Sequence, residues 1–91
     1  MWRLNPRSFL HYRHWGHEWV VFDVGSGQTH QMDTLSAVSL MHCENGWISL
    51  PDIAKRVMAD LDLTWPAELT DSLAALLNQF TNLGLLERRA E

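Results

Sequence analysis

Gln28-Thr29-His30-Gln31-Met32-Asp33-Thr34-Leu35-Ser36-Ala37-Val38 changes its period in the middle. Up to Met32 the residues alternate, with His30 and Met32 on one face of an extended segment and Thr29 and Gln31 on the other. Beyond Asp33 the apolar residues Leu35, Val38 and Met41 return at helical spacing. Asp33 is the junction, because its carboxylate accepts the free amide protons of a helix's first turn. The stretch predicts a strand that runs directly into a helix, with strands before it and helices after it.

Upstream, Glu18-Trp19-Val20-Val21-Phe22-Asp23-Val24 is dense in β-branched and aromatic residues and predicts a strand. Phe9 to Trp15 predicts another, and Gly16 and Gly25-Ser26-Gly27 mark the two reversals between the three. The result is a three-stranded antiparallel meander over about residues 8–32. Downstream, Asn45-Gly46 ends the first helix. Ser49 caps a second, with Asp52 three residues later and Pro51 in its first turn. Ile53, Val57 and Leu61 give that helix its apolar stripe. A third helix starts near Thr64-Trp65-Pro66. Its stripe of Leu69, Leu73, Leu76, Leu77, Phe80 and Leu83 ends at Gly84, and Leu85-Leu86 forms a tail that can pack back on the core. Helices occupy about residues 33–84. The order β-β-β-α-α-α predicts one α+β domain over residues 1–91, a helix-turn-helix-like arrangement with its wing displaced to the front.

Composition narrows the function classes. The chain has 91 residues, 46% of them hydrophobic, which suits one small packed domain. Its 7 basic and 11 acidic residues leave a net charge of −4, and the basic ones are scattered, so a nucleic-acid partner is not expected. The rival reading, a winged-helix nucleic-acid-binding or transcription-related module, would need Arg, Lys, Asn or Gln on a recognition helix. Lys55 and Arg56 stand on the second helix, but the third carries Glu68 and Asp71 and no basic residue before Arg88. A lone cysteine, Cys43, rules out an internal disulfide and suits a reducing compartment. With no membrane-length apolar run and no signal-like N-terminus, a cytoplasmic location is expected.

Catalytic and metal chemistry find little support. Cys43 has His42 beside it, but helical neighbours diverge by about 100°, so the two make no dyad. His11, His14 and His17 would share a face on a helix, but on strands they do not, so neither metal nor cofactor is expected. Trp15 and Trp19 flank the first turn. Trp65 is expected to cover the helical core, and Trp2 to be exposed.

Taken in order, Thr29 to Ala37, Glu44-Asn45-Gly46, Ile48 to Ala54, Leu73 to Leu77, Phe80 and Asn82-Leu83-Gly84-Leu85-Leu86 resemble the PqqD-like family. In that family a strand ending in Leu-Asn enters a helix, an Asp-Gly turn and a Thr-led helix follow, and a long last helix ends in Gly-Leu-Leu. Met32-Asp33, Asn45-Gly46 and Ser49-x-x-x-Ile53 stand in those places here, and the likeness covers about residues 9 to 87. Thr29-His30 beside Met32-Asp33 is more similar to the branch that accompanies HPr-kinase-related systems. The resemblance implies a non-catalytic recognition element, or peptide chaperone, for ribosomally made peptides. Such a domain binds a precursor peptide and presents it to a modifying enzyme, radical-SAM or kinase-related.

Physical reasoning places the expected site. An edge strand offers unpaired N–H and C=O groups to an extended peptide, and Gln28, Thr29, His30, Gln31 and Met32 hold neither Pro nor Lys to block them. On the last helix the expected wall is the flank of Thr70, Ala74, Leu77 and Thr81, where small residues let a strand lie close. His30 is either a packed histidine bonded to a backbone carbonyl or a contact in the groove. An exposed edge also makes a homodimer plausible.

Overall fold

The computed structural model of the chain describes residues 1–62 and 66–90. β2 (Leu10–Trp15), β3 (Glu18–Asp23) and β4 (Gln28–Asp33) form the antiparallel meander in the order β2-β3-β4. β2 and β3 are joined by a two-residue loop in which Gly16 has φ 62°, as a type II′ hairpin turn requires. Pairing sets three cross-strand rows on the inner face: Leu10, Asp23 and Gln28; Tyr12, Val21 and His30; His14, Trp19 and Met32.

β4 passes into α1 (Thr34–Met41) with no loop, and Asp33 Oδ1 accepts from the Ser36 N–H at 2.8 Å, the cap expected from the sequence. α2 (Leu50–Leu61) is capped by Ser49 and closes at Asp62 in the left-handed region, φ 53°. α3 (Pro66–Asn82) ends in a Schellman motif at Gly84, φ 82°: the Leu85 N–H bonds the Phe80 carbonyl and the Gly84 N–H that of Thr81. The expected third-helix start at Thr64 and the expected cover by Trp65 lie outside the described residues.

Two elements escaped the sequence reading. β1 (Trp2–Leu4) pairs antiparallel with β5 (Leu86–Arg88), and Trp2 also exchanges both backbone bonds with Ile48 at 2.9 Å. Trp2 is therefore buried, not exposed as expected, and the Leu85-Leu86 tail is half loop and half strand. Arg88 covers the Trp2 ring at 5.3 Å, and Arg3 and Arg89 lie over Trp47 at 4.6 and 4.3 Å. The core between sheet and helices contains Val21, Leu40, Ile53, Val57, Leu73, Leu77 and Leu85. The α+β, winged-helix-like class read from the sequence is the fold observed.

One residue holds the sheet's turn end. The Asp23 carboxylate accepts from the Ser8 hydroxyl at 3.1 Å, the Phe9 N–H at 3.0 Å, the Gly25 N–H at 3.0 Å and the Ser26 hydroxyl at 2.9 Å. Burial works to raise its pKa, but these four donors outweigh it and hold the carboxyl below its ordinary value. Gly25 sits against the Arg7 carbonyl so tightly that a methyl group there would collide with it. Gly25→Ala is expected to cost about 2 kcal/mol or more, read as a lower urea midpoint with an unchanged m-value.

Candidate functional site

β4 pairs with β3 on one side only, so its other edge is unpaired among the described residues. Three shallow hollows border this strand. One, at its C-terminal end, is lined by His17, Glu18, Trp19, Gln31, Met32 and Asp33. The second, about 250 Å³, lies between β4 and α3 and is lined by His30, Met32, Ser36, Leu76, Phe80 and Leu83 together with Gln31, Asp33 and Gln79. The third, at the N-terminal end of β4, involves Arg7, Asp23, Gln28 and Leu83. The first two share Gln31, Met32 and Asp33, and the last two share Leu83, so together they trace a trough along the strand. In the middle, Met32, Leu76, Phe80 and Leu83 supply its apolar surface among the polar His30, Gln31, Asp33, Ser36 and Gln79. Glu18 and Asp33 stand at one end and Arg7 at the other.

Of the strand residues singled out from sequence, His30, Gln31 and Met32 line the central hollow and Gln28 the hollow beyond it. Thr29 lies on the opposite, solvent side of β4, in one row with Phe22 and His11. The helix side differs. Leu77 is fully buried in the core at 0% exposure, and Thr81 donates its hydroxyl to the Leu77 carbonyl at 2.8 Å. Neither they nor Thr70 and Ala74 line the hollow; Leu76, Gln79, Phe80 and Leu83 do. At 100° per residue the two stripes are centred about 140° apart, one on each side of the buried stripe. The flank toward the sheet is therefore the opposite one from that chosen. Leu83, the last residue of the apolar stripe read from the sequence, is 49% exposed at the end of α3, an apolar residue offered to solvent beside an open strand edge.

His30 is partly buried, and its Nε2 is buried with no hydrogen-bond partner among the described residues. The backbone-carbonyl partner that a packed histidine usually takes is not what holds this nitrogen. Among the described residues, Cys43 and His42 have separate surroundings. Cys43 is buried, its Sγ donating weakly to the Ser39 carbonyl at 3.5 Å. Burial first, then the nearby charge of Glu44, pushes its thiol up to about 12, away from thiolate chemistry. His42 meets Asp60 at 2.6 Å and not the cysteine. His11 packs edge-on against Phe9, and His14 stacks on Trp19 at 4.5 Å on the inner side. Among the described residues no three His, Cys, Asp or Glu side chains are grouped to hold a metal ion, and no helix is long and apolar enough to cross a membrane.

No family model matches the chain, and no curated protein matches it. Two solved structures are similar along nearly its whole length. One, described as lasso peptide synthetase B1 complexed with the leader peptide, has a TM-score of 0.66 at 20% identity, covering 96% of this chain and 98% of that one. The other, TbiB1 in complex with the TbiA(beta) leader peptide, has a TM-score of 0.69 at 18% identity, covering 98% of this chain and 99% of that one. At such identities the likeness establishes that this chain shares their fold.

Proposed function

We propose that the domain is a non-catalytic peptide-binding adaptor. It would hold an extended segment of a precursor peptide as a fourth strand on β4, with the peptide's side chains in the trough toward α3, and present the rest of that peptide to a modifying enzyme. The observation that carries this reading is the open edge of β4 beside an apolar wall of Leu76, Phe80 and Leu83. Main-chain bonds to the edge would give register and affinity, and pockets for alternate side chains would give selectivity. The names of both similar structures pair a protein of this fold with a leader peptide, which supports the same partner class here.

The enzyme served is a finer question. The sequence likeness to the HPr-kinase-associated branch rests on Thr29-His30 and Met32-Asp33, a few residues, while both whole-chain structural likenesses carry leader peptides and one a lasso peptide synthetase name. We take a peptide-maturation enzyme as the partner and give the kinase branch no weight. The lone thiol is compatible with cytoplasmic work. An open edge also admits pairing of β4 between two copies, which would exclude peptide from the same edge.

The test is titration of the ¹⁵N-labelled chain with the short peptide encoded next to its gene. Saturable shifts are expected along 28–33 and 76–83. Absence of binding at high micromolar peptide, or shifts confined to Lys55 and Arg56 with duplex DNA, would remove the adaptor reading.

A further inference from the structure

We infer that His30 selects a neutral hydrogen-bonding side chain in the bound peptide, two residues along from an apolar one. This rests on the strand-addition reading above and gives it a side-chain code. His30 and Met32 point to the inner face of β4, and both line the hollow toward α3. Residues of an added strand alternate with the same period, so the two facing this side are two apart in the peptide.

The surroundings of the two positions differ. Met32 is beside Trp19 in its cross-strand row and helps line the hollow at the C-terminal end of β4, so it offers an apolar subsite. His30 brings a buried ring nitrogen that is unpartnered among the described residues, next to Leu76, Phe80 and Leu83. In the free domain that nitrogen already has neither water nor a hydrogen bond, which is unfavourable, and an apolar side chain in the hollow would leave it so. A hydroxyl or carboxamide that meets it as the ring turns toward the hollow would satisfy it, donating to the nitrogen or accepting from it according to tautomer. A carboxylate fits less well, because Asp33 lines the same hollow and Leu76, Phe80 and Leu83 offer it no hydrogen bond. An ammonium would be drawn to Asp33, but it only donates and so serves His30 in one tautomer, and its desolvation beside Leu76, Phe80 and Leu83 is costly. The code is thus an apolar residue and, two positions away, Ser, Thr, Asn, Gln or Tyr.

Selection of random 12-residue peptides displayed on phage against the immobilised full chain tests this, with synthetic peptides made from the sequences recovered. Enrichment of the apolar/hydrogen-bonding pair at a spacing of two is expected. Replacing the hydrogen-bonding residue by an apolar isostere should weaken binding about tenfold in the native chain. The same replacement should matter little to His30→Phe, while His30→Gln should keep the native preference. Enriched peptides that lack the pair, or the same tenfold loss in His30→Phe, would overturn the role of His30 and leave strand capture standing. Recovery of no peptide would overturn both. The native selection alone decides the code if His30→Phe does not fold.

Discussion

Asp23→Ala is expected to lower the melting temperature by roughly 15 °C or more, the largest stability loss of any substitution outside the apolar core. Asp23 is 3% exposed, and its carboxylate gathers four donors from two segments: Ser8 and Phe9 before β2, and Gly25 and Ser26 in the β3–β4 turn. Alanine leaves two backbone N–H groups and two hydroxyls without their acceptor. At about 1–3 kcal/mol for each group that stays buried, the cost is about 3 kcal/mol or more. A domain of this size has about 5–14 kcal/mol in all, and each kcal/mol is worth about 4–8 °C. Asp23→Asn retains the shape and an acceptor but not the charge, and it should fall between the two.

The same carboxylate sets a pH dependence. In the folded chain it binds its proton more weakly than in the unfolded chain, where its value is about 3.9. The stabilisation is fully present above that unfolded value and is lost as pH falls through the lower, folded one. The native melting temperature should therefore decline below about pH 4. Asp23→Asn should lack that part of the decline. Calorimetry across pH 2–7 compares the two; an unchanged acid slope in Asp23→Asn would show that other carboxylates carry it.

The strand-to-helix junction was legible because one residue type does one thing there. Asp33 at the end of an alternating run is a cap wherever the chain places it, and Ser49 and Gly84 punctuate their helices by equally local chemistry. β1 and β5 were not legible. Trp2–Leu4 and Leu86–Arg88 are three residues each, too short to show a period, and each becomes a strand only because the other lies beside it. Trp2 looked free for the same reason: its burial depends on Ile48, forty-six positions away. The trough was half legible. The period of β4 reveals which of its residues face inward, and the strand order leaves its edge open. The stripe on α3 shows only a buried centre with two flanks. Which flank turns toward β4 depends on how α1 and α2 aim the third helix, and no local pattern in α3 carries that information.

That ambiguity makes the second large effect a comparison between flanks. Leu83→Glu is expected to weaken peptide binding about thirtyfold or more, whereas Ala74→Gln should leave it within about twofold. Leu83 stands where the central hollow meets the one at the N-terminal end of β4, and it is half exposed in the free domain. Little folded-state contact is lost on replacing it, so the melting temperature should move by only a few degrees. In the complex its side chain would be covered by peptide. Losing that burial removes about 1–2 kcal/mol of the binding energy, and a carboxylate sealed against Leu76 and Phe80 adds a desolvation penalty of similar size. Ala74 belongs to the flank about 140° round the helix. A longer neutral side chain there projects away from the trough. Titration of both variants with the same peptide decides between them. A loss in Ala74→Gln with Leu83→Glu unaffected would return the site to the Thr70–Thr81 flank and leave the wall beside β4 without a role. Equal losses in both would mean that binding senses the stability of α3 and not the trough, and the strand-addition geometry would fall with it.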